Sequence, residues 1–249
     1  DMYAREKLAS IYMNGLSVKK NIELGVKLYK LSADQGNKDS LYQLGLMYLT
    51  GEHVGGVNNE YAVQCLKKSA KLNNMDAHAK YSECLLKGIG IPCRNERKAL
   101  KHAKIAAEND NIMGMAQYGS MLYYGKGCQP DFAEAKQYIV KASDAEIPSA
   151  MDIYGQMYQN GQGVPIDLPK GVSLFKKASE LGNVDATFHY AQSLEYGKGI
   201  EANIKKAVTF YKKAADNGHT ESMYIYATFS EQGKGTSRDD KEAGKYYLL

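Results

Sequence analysis

The stretch "YYGKGCQP", Tyr123 to Pro130, admits two readings. Glycine, lysine and glycine in succession are the letters of a phosphate-cradling loop. They also suit a tight turn that closes one helix and opens another. A Walker-type loop needs G-x-x-x-x-G-K-[ST] between a strand and a helix. The spacing here fails that test, and so does the spacing of "GKGI" (Gly197 to Ile200) and "GKGTS" (Gly233 to Ser237). The recurrence of the turn decides the matter. The glycine after a Tyr-rich apolar stretch returns as Gly15, Gly51, Gly88, Gly125, Gly161, Gly197 and Gly233, at intervals of 36, 37, 37, 36, 36 and 36. The lysine does not return: Ile89 and Gln162 take its place in the third and fifth copies. A fixed period of this length marks a repeat architecture.

Other columns hold the same phase. Eleven residues before each glycine stands a small residue (Ala4, Ser40, Ala77, Gly114, Ala150, Ala186, Ser222), and six before it another (Ala9, Gly45, Ser82, Gly119, Gly155, Ala191, Ala227). Seven before it stands a large one, Leu8, Leu44, Tyr81, Tyr118, Tyr154, Tyr190 or Tyr226. Three before it the residue is again large, except at Ser230. Large residues four apart share one helix face, and small ones let a second helix approach. This segment is helix A. Beyond the turn, Asn21, Asn58, Asn95, Asp131, Asp167, Asn203 and Asp239 recur, side chains that cap helix N-termini. Apolar residues follow at helical spacing, as in "AVTFYKKAA" (Ala207 to Ala215); this is helix B. It ends near Gly36, Asn73, Asp110, Glu146, Gly182 or Gly218, residues suited to left-handed caps. A helix pair this short buries its apolar face only by stacking on neighbours. The expected fold is all-α, a right-handed α-α superhelix of about seven 36–37-residue helix-turn-helix repeats. It forms one solenoid over 1–249, with repeats near 4–39, 40–76, 77–113, 114–149, 150–185, 186–221 and an incomplete 222–249. The apolar "YYLL" (Tyr246 to Leu249) is left uncovered, so the natural chain is expected to continue or a partner to cover this end.

Composition narrows the function. The chain has 249 residues, 44% hydrophobic and 24% charged, with a net charge of +4, too weak for a nucleic-acid surface. No apolar run reaches membrane-spanning length. Cys65, Cys84, Cys93 and Cys128 show no paired spacing, and no Asn-x-Ser/Thr acceptor occurs; both fit a cytoplasmic protein with free thiols. The five histidines form no zinc signature, and no nucleophile elbow appears. No catalytic residue, metal or cofactor is expected.

The pattern small-x-x-x-Leu/Tyr-Gly-x-x-Tyr-x-x-Gly-x-Gly, then Asp or Asn, then Ala and "YKKAADNG", resembles Sel1-like repeats, relatives of tetratricopeptide repeats. "QLGLMYLTG" (Gln43 to Gly51), "YGQMYQNGQGV" (Tyr154 to Val164) and "AVTFYKKAADNG" (Ala207 to Gly218) carry it most fully, and it spans essentially the whole chain. The resemblance implies a non-enzymatic scaffold or adaptor in a larger assembly. It also leaves open a regulatory subunit of a membrane enzyme or a ubiquitin-ligase quality-control complex. Some bacterial relatives carry paired cysteines in every repeat; this chain does not, which disfavours a secreted, disulfide-stapled or penicillin-hydrolysing member.

By analogy with tetratricopeptide solenoids, helix A lines a concave groove. Positions nine, eight, five and two before the turn glycine face it, with position one at its edge. The resulting candidates are Tyr42, Gln43, Lys80, Gln117, Tyr123, Tyr124, Asp152, Gln156, Phe188, His189, Gln192, Tyr196 and Tyr224. Aromatics interleaved with amides and charges suit an extended peptide segment. The lysine pairs on helix B, such as Lys67–Lys68 and Lys212–Lys213, read as a solvated face.

Overall fold

The structure, a computed structural model, describes residues 1–16 and 18–248. Leu249, the last residue of the "YYLL" run, lies outside the described residues. The chain divides into two compact units, Asp1–Pro130 and Asp131–Leu249. The first holds α1 (Met2–Asn14), α2 (Ile22–Asp34), α3 (Lys38–Thr50), α4 (Asn59–Lys71), α5 (Met75–Lys87), α6 (Glu96–Glu108) and α7 (Ile112–Tyr124). The second holds α8 (Phe132–Asp144), α9 (Pro148–Asn160), α10 (Leu168–Glu180), α11 (Val184–Tyr196), α12 (Ile204–Asp216), α13 (Thr220–Gln232) and α14 (Asp240–Tyr247). No strand occurs among the described residues. Odd-numbered helices are helix A and even-numbered ones helix B, so the fold is an all-α repeat solenoid.

The turn explains both glycines of the opening quotation. Gly125 sits at φ +68°, ending α7 in the left-handed region where a Cβ is strained, and its N–H closes on the Met121 carbonyl. Gly127 serves a different need. A Cβ there would lie 2.7 Å from the Glu96 carbonyl oxygen, so the turn rests on the first residues of the preceding helix B. Gly163 meets the Phe132 carbonyl and Gly199 the Leu168 backbone in the same way. Helix B ends are left-handed at all six expected positions. Three of these are not glycine: Asn73, Asp110 and Glu146, at φ +57°, +57° and +58°. Asn and Asp tolerate this region, Glu less so.

Every expected helix B cap forms. Asn58, for example, accepts the Tyr61 N–H at 3.0 Å, and Asp131 accepts that of Glu134 at 2.8 Å. Helix A has its own caps, which the sequence reading did not single out: Asn37, Asn74, Asn111 and Asn183, with His219 at α13. These caps also join successive repeats. Asn74 donates through Nδ2 to Asp39 Oδ1 at 2.8 Å, and Asn111 to Asp76 Oδ1 at 2.7 Å. Among the described residues Asn37 has no such acceptor, because Tyr3 stands where the ladder would place an Asp, and its buried Nδ2 is unpartnered. Ile147 starts α9 with no side-chain cap.

Small residues let the helices interlock. A Cβ at Gly45 would meet the Leu66 side chain at 2.8 Å, and one at Gly155 the Phe175 ring at 2.5 Å. In the first unit Tyr29, Leu41, Leu44 and Cys65 form one core cluster. In the second, Phe175, Phe188, Leu194, Tyr211 and Phe229 pack together. Each fully buried side chain of this size contributes about 1.5–3 kcal/mol. Cys84 belongs to the core, where burial pushes its thiol up to about 11; Cys93 is exposed.

Candidate protein-interaction site

In the first unit, three successive helix A elements carry the candidate residues. Tyr42 of α3, Lys80 of α5 and Gln117 of α7 line one cavity of about 160 Å³, with Asp76, Glu83 and Met113. The helical period puts these positions on one face, and the ladder between cap Asn and preceding Asp holds the three helices in register. Lys80 and Lys87 both reach Glu83, at 2.8 and 2.6 Å. Burial alone would raise the Glu83 carboxyl, but these two hydrogen bonds outweigh it and hold the group below its ordinary value. Burial, reinforced by Asp76, raises the Tyr42 hydroxyl. Gln117 presents a buried Oε1 that accepts no hydrogen bond. An acceptor left bare in this way costs about 1–3 kcal/mol until a donor arrives. Met113 is half exposed beside it.

Gln43 is half-buried on α3. Tyr123 and Tyr124 part company: the first is buried, the second exposed at the end of α7. Their rings meet edge to face at 4.9 Å. Lys126 is exposed, with its Nζ 5.4 Å from the Tyr124 ring centroid, within cation–π range.

In the second unit, Asp152 of α9 is buried and accepts from Gln156 Nε2 at 2.9 Å, with the His189 ring of α11 at 2.7 Å. Asp152, Gln156 and His189 thus form one polar cluster, in which Asp152 positions the other two side chains. Phe188 is buried and stacks on His219 at 4.4 Å, which places it in the core. Gln192 is half-buried, while Tyr196 and Tyr224 are 61% and 65% exposed. Lys198 sits 5.6 Å from the Tyr196 ring, and Tyr247 lies 6.0 Å from Tyr224. The exposed candidates are therefore Tyr124, Tyr196 and Tyr224, and Gln117 lines a cavity; Tyr123, Asp152 and Phe188 are buried.

Among the described residues no three His, Cys, Asp or Glu side chains converge as a metal site, and no helix is long and apolar enough to cross a membrane. The sequence reading passed over Met113 and Asp76. The two share one column, twelve before the turn glycine, which is acidic at Asp39, Asp76, Asp185 and Glu221 and so carries a periodic signal from which Met113 departs.

The family described as Sel1 repeat matches seven times, at residues 3–37, 38–74, 76–111, 112–146, 148–183, 184–219 and 220–249. An uncharacterised protein of Neisseria meningitidis serogroup B is 29% identical over 153 residues, 49% of this chain and 32% of its own. A Sel1 repeat protein from Oxalobacter formigenes superposes with a TM-score of 0.81 at 23% identity, over 98% of this chain and 96% of that one. A protective antigen of uropathogenic Escherichia coli with an SLR fold gives a TM-score of 0.68 at 26% identity, over 99% of this chain and 53% of its own. The chain thus spans about a third of the Neisseria protein and about half of the antigen.

Proposed function

The chain belongs to the Sel1 repeat family, whose members generally mediate protein–protein interaction, and from that premise we propose that it is a non-enzymatic scaffold whose helix A faces hold a protein segment within a larger assembly. The observation that carries this reading is the Gln117 carbonyl, a buried acceptor without a donor, in a cavity shared by α3, α5 and α7. A backbone N–H of an extended segment supplies the missing donor. The half-exposed thioether of Met113 offers an adaptable apolar contact beside it. Exposed tyrosines give large contact area at low entropic cost, the role Tyr196 and Tyr224 would fill in the second unit.

The test is co-purification from native cells with quantification of recovered partners. Wild type is compared with Gln117→Ala/Met113→Ala and with Tyr196→Ala/Tyr224→Ala, each verified as folded by circular dichroism. Partner recovery is expected to fall for at least one pair. Equal recovery from both folded variants removes the helix A faces as the binding surface.

A further inference from the structure

The seventh repeat closes a small charge cluster at its helix B. Lys212 of α12 donates to Glu242 Oε1 of α14 at 2.7 Å and to the Tyr226 hydroxyl of α13 at 3.2 Å. Lys245 reaches the second oxygen of Glu242 at 2.7 Å. Together the two lysines hold the Glu242 carboxyl down at about 2.

The third repeat has the same frame without the carboxylate. Lys67 stands nine residues after the cap Asn58, as Lys212 stands nine after Asn203. Tyr81 precedes Gly88 by seven, as Tyr226 precedes Gly233. Glu242 is third after the cap Asp239, and third after Asn95 is Lys98. Among the described residues neither Lys67 nor Lys98 has an ion-pair partner. Tyr81 is 3% exposed and its ring packs edge-on against His102, yet its hydroxyl makes no hydrogen bond among the described residues. An opening of about 600 Å³ is lined by Lys67 and Tyr81, with Val63, Ile91 and Pro92 as an apolar wall and Glu60 also in its lining; Lys98 does not line it. In the sixth repeat Lys206 likewise replaces the acid, but Lys176, the counterpart of Lys67, lies 3.9 Å from Glu180 and does not line the opening of about 220 Å³ beside Tyr190.

We propose that the third-repeat opening binds an acidic side chain of a partner protein segment, whose carboxylate takes the place against Lys67 and Tyr81 that Glu242 fills in the seventh repeat. One amine and one hydroxyl suit a carboxylate, with its two acceptor oxygens. Glu60 adds negative charge to the lining, which disfavours a phosphate dianion. The apolar wall accommodates an aliphatic residue beside the acid. The site shares no residue with the helix A cavity, so each stands or falls alone.

The test uses the full chain and three probes: acetyl-Leu-Glu-amide, acetyl-Leu-Gln-amide and inorganic phosphate. Binding is read from the Val63 methyl resonances by NMR. The Glu peptide is expected to saturate in the millimolar range, with the Gln peptide about tenfold weaker. Lys67→Met and Tyr81→Phe, which keeps the ring against His102, should each weaken the Glu peptide about threefold or more. Lys98→Glu installs the built-in carboxylate of the seventh repeat and should abolish binding while raising Tm. Equal binding of the Glu and Gln peptides overturns the proposal, as does full binding by both Lys67→Met and Tyr81→Phe. Phosphate binding as tightly as the Glu peptide overturns it too, and so does the lack of any saturable shift.

Discussion

His78 of α5 and His102 of α6 face each other with Nδ1 to Nδ1 at 2.9 Å, so one ring donates and the other accepts. A proton added to the accepting ring sets N–H against N–H. Burial, then the neighbouring His78, Lys98 and Lys101, lowers His102 from 6.5 to about 4. Burial lowers His78 as well. A base depressed in the folded state stabilises the fold fully above its unfolded value near 6.5. That stability drains away as pH falls, until the folded value near 4 is passed. At about 1.36 kcal/mol per unit the His102 shift is worth at most about 3 kcal/mol, and partial exposure of the ring reduces the expectation to about 2 kcal/mol. That amounts to a Tm difference of about 4–8 °C in a chain of this size. The assay is urea unfolding of wild type and His102→Phe at pH 7.5 and 4.5. Carboxylates such as Glu83 titrate in both proteins and cancel in the difference. His102→Phe is expected to be less stable than wild type at pH 7.5 but to lose about 2 kcal/mol less on acidification. Parallel losses in the two proteins would refute the coupling of this pair to acid stability.

Gly90→Ala forces a Cβ onto the Asn59 carbonyl at a left-handed residue, whereas Gly36→Ala meets nothing within 4 Å at φ +87°. Chemical denaturation should show a loss of about 2–4 kcal/mol for the first and about 1 kcal/mol for the second. In the native state Cys93 should react quickly with a thiol reagent such as DTNB, while Cys84, buried and pushed up to about 11, should react only on unfolding. Equal rates at the two thiols would contradict the burial.

The repeat, its turns and the helix B caps were legible in the sequence because each depends on contacts within a few residues. Gly125 and Asp131 announce themselves by chemical type and period. The helix A caps were harder to see. Asn74 follows Asn73 and Asn111 follows Asp110, and in each pair the first residue takes the left-handed position and the second the cap. Their cross-repeat partners lie 35 residues away, beyond any local pattern. Exposure of the candidate residues was legible least of all. Phe188 and Tyr224 share one column, nine before the glycine, yet one is buried and the other open. His219, at the start of the next helix A, stacks on Phe188, whereas Tyr224 stands on α13, and no helix A follows α13 among the described residues. A column fixes direction relative to the helix axis; the identity of the neighbour fixes accessibility.

The asparagine that starts one helix A and holds the preceding one turns capping into a nearest-neighbour coupling. In a stacked array, such couplings set how far a local opening spreads before it stops. The segment from α3 to α7, joined by two rungs, should exchange its amide hydrogens as one block. Asn37 without an acceptor and Ile147 without a side-chain cap mark joints where opening begins at lower free energy. A chain built from near-identical repeats is thereby divided into segments of unequal cooperativity by the choice of one residue at each helix start.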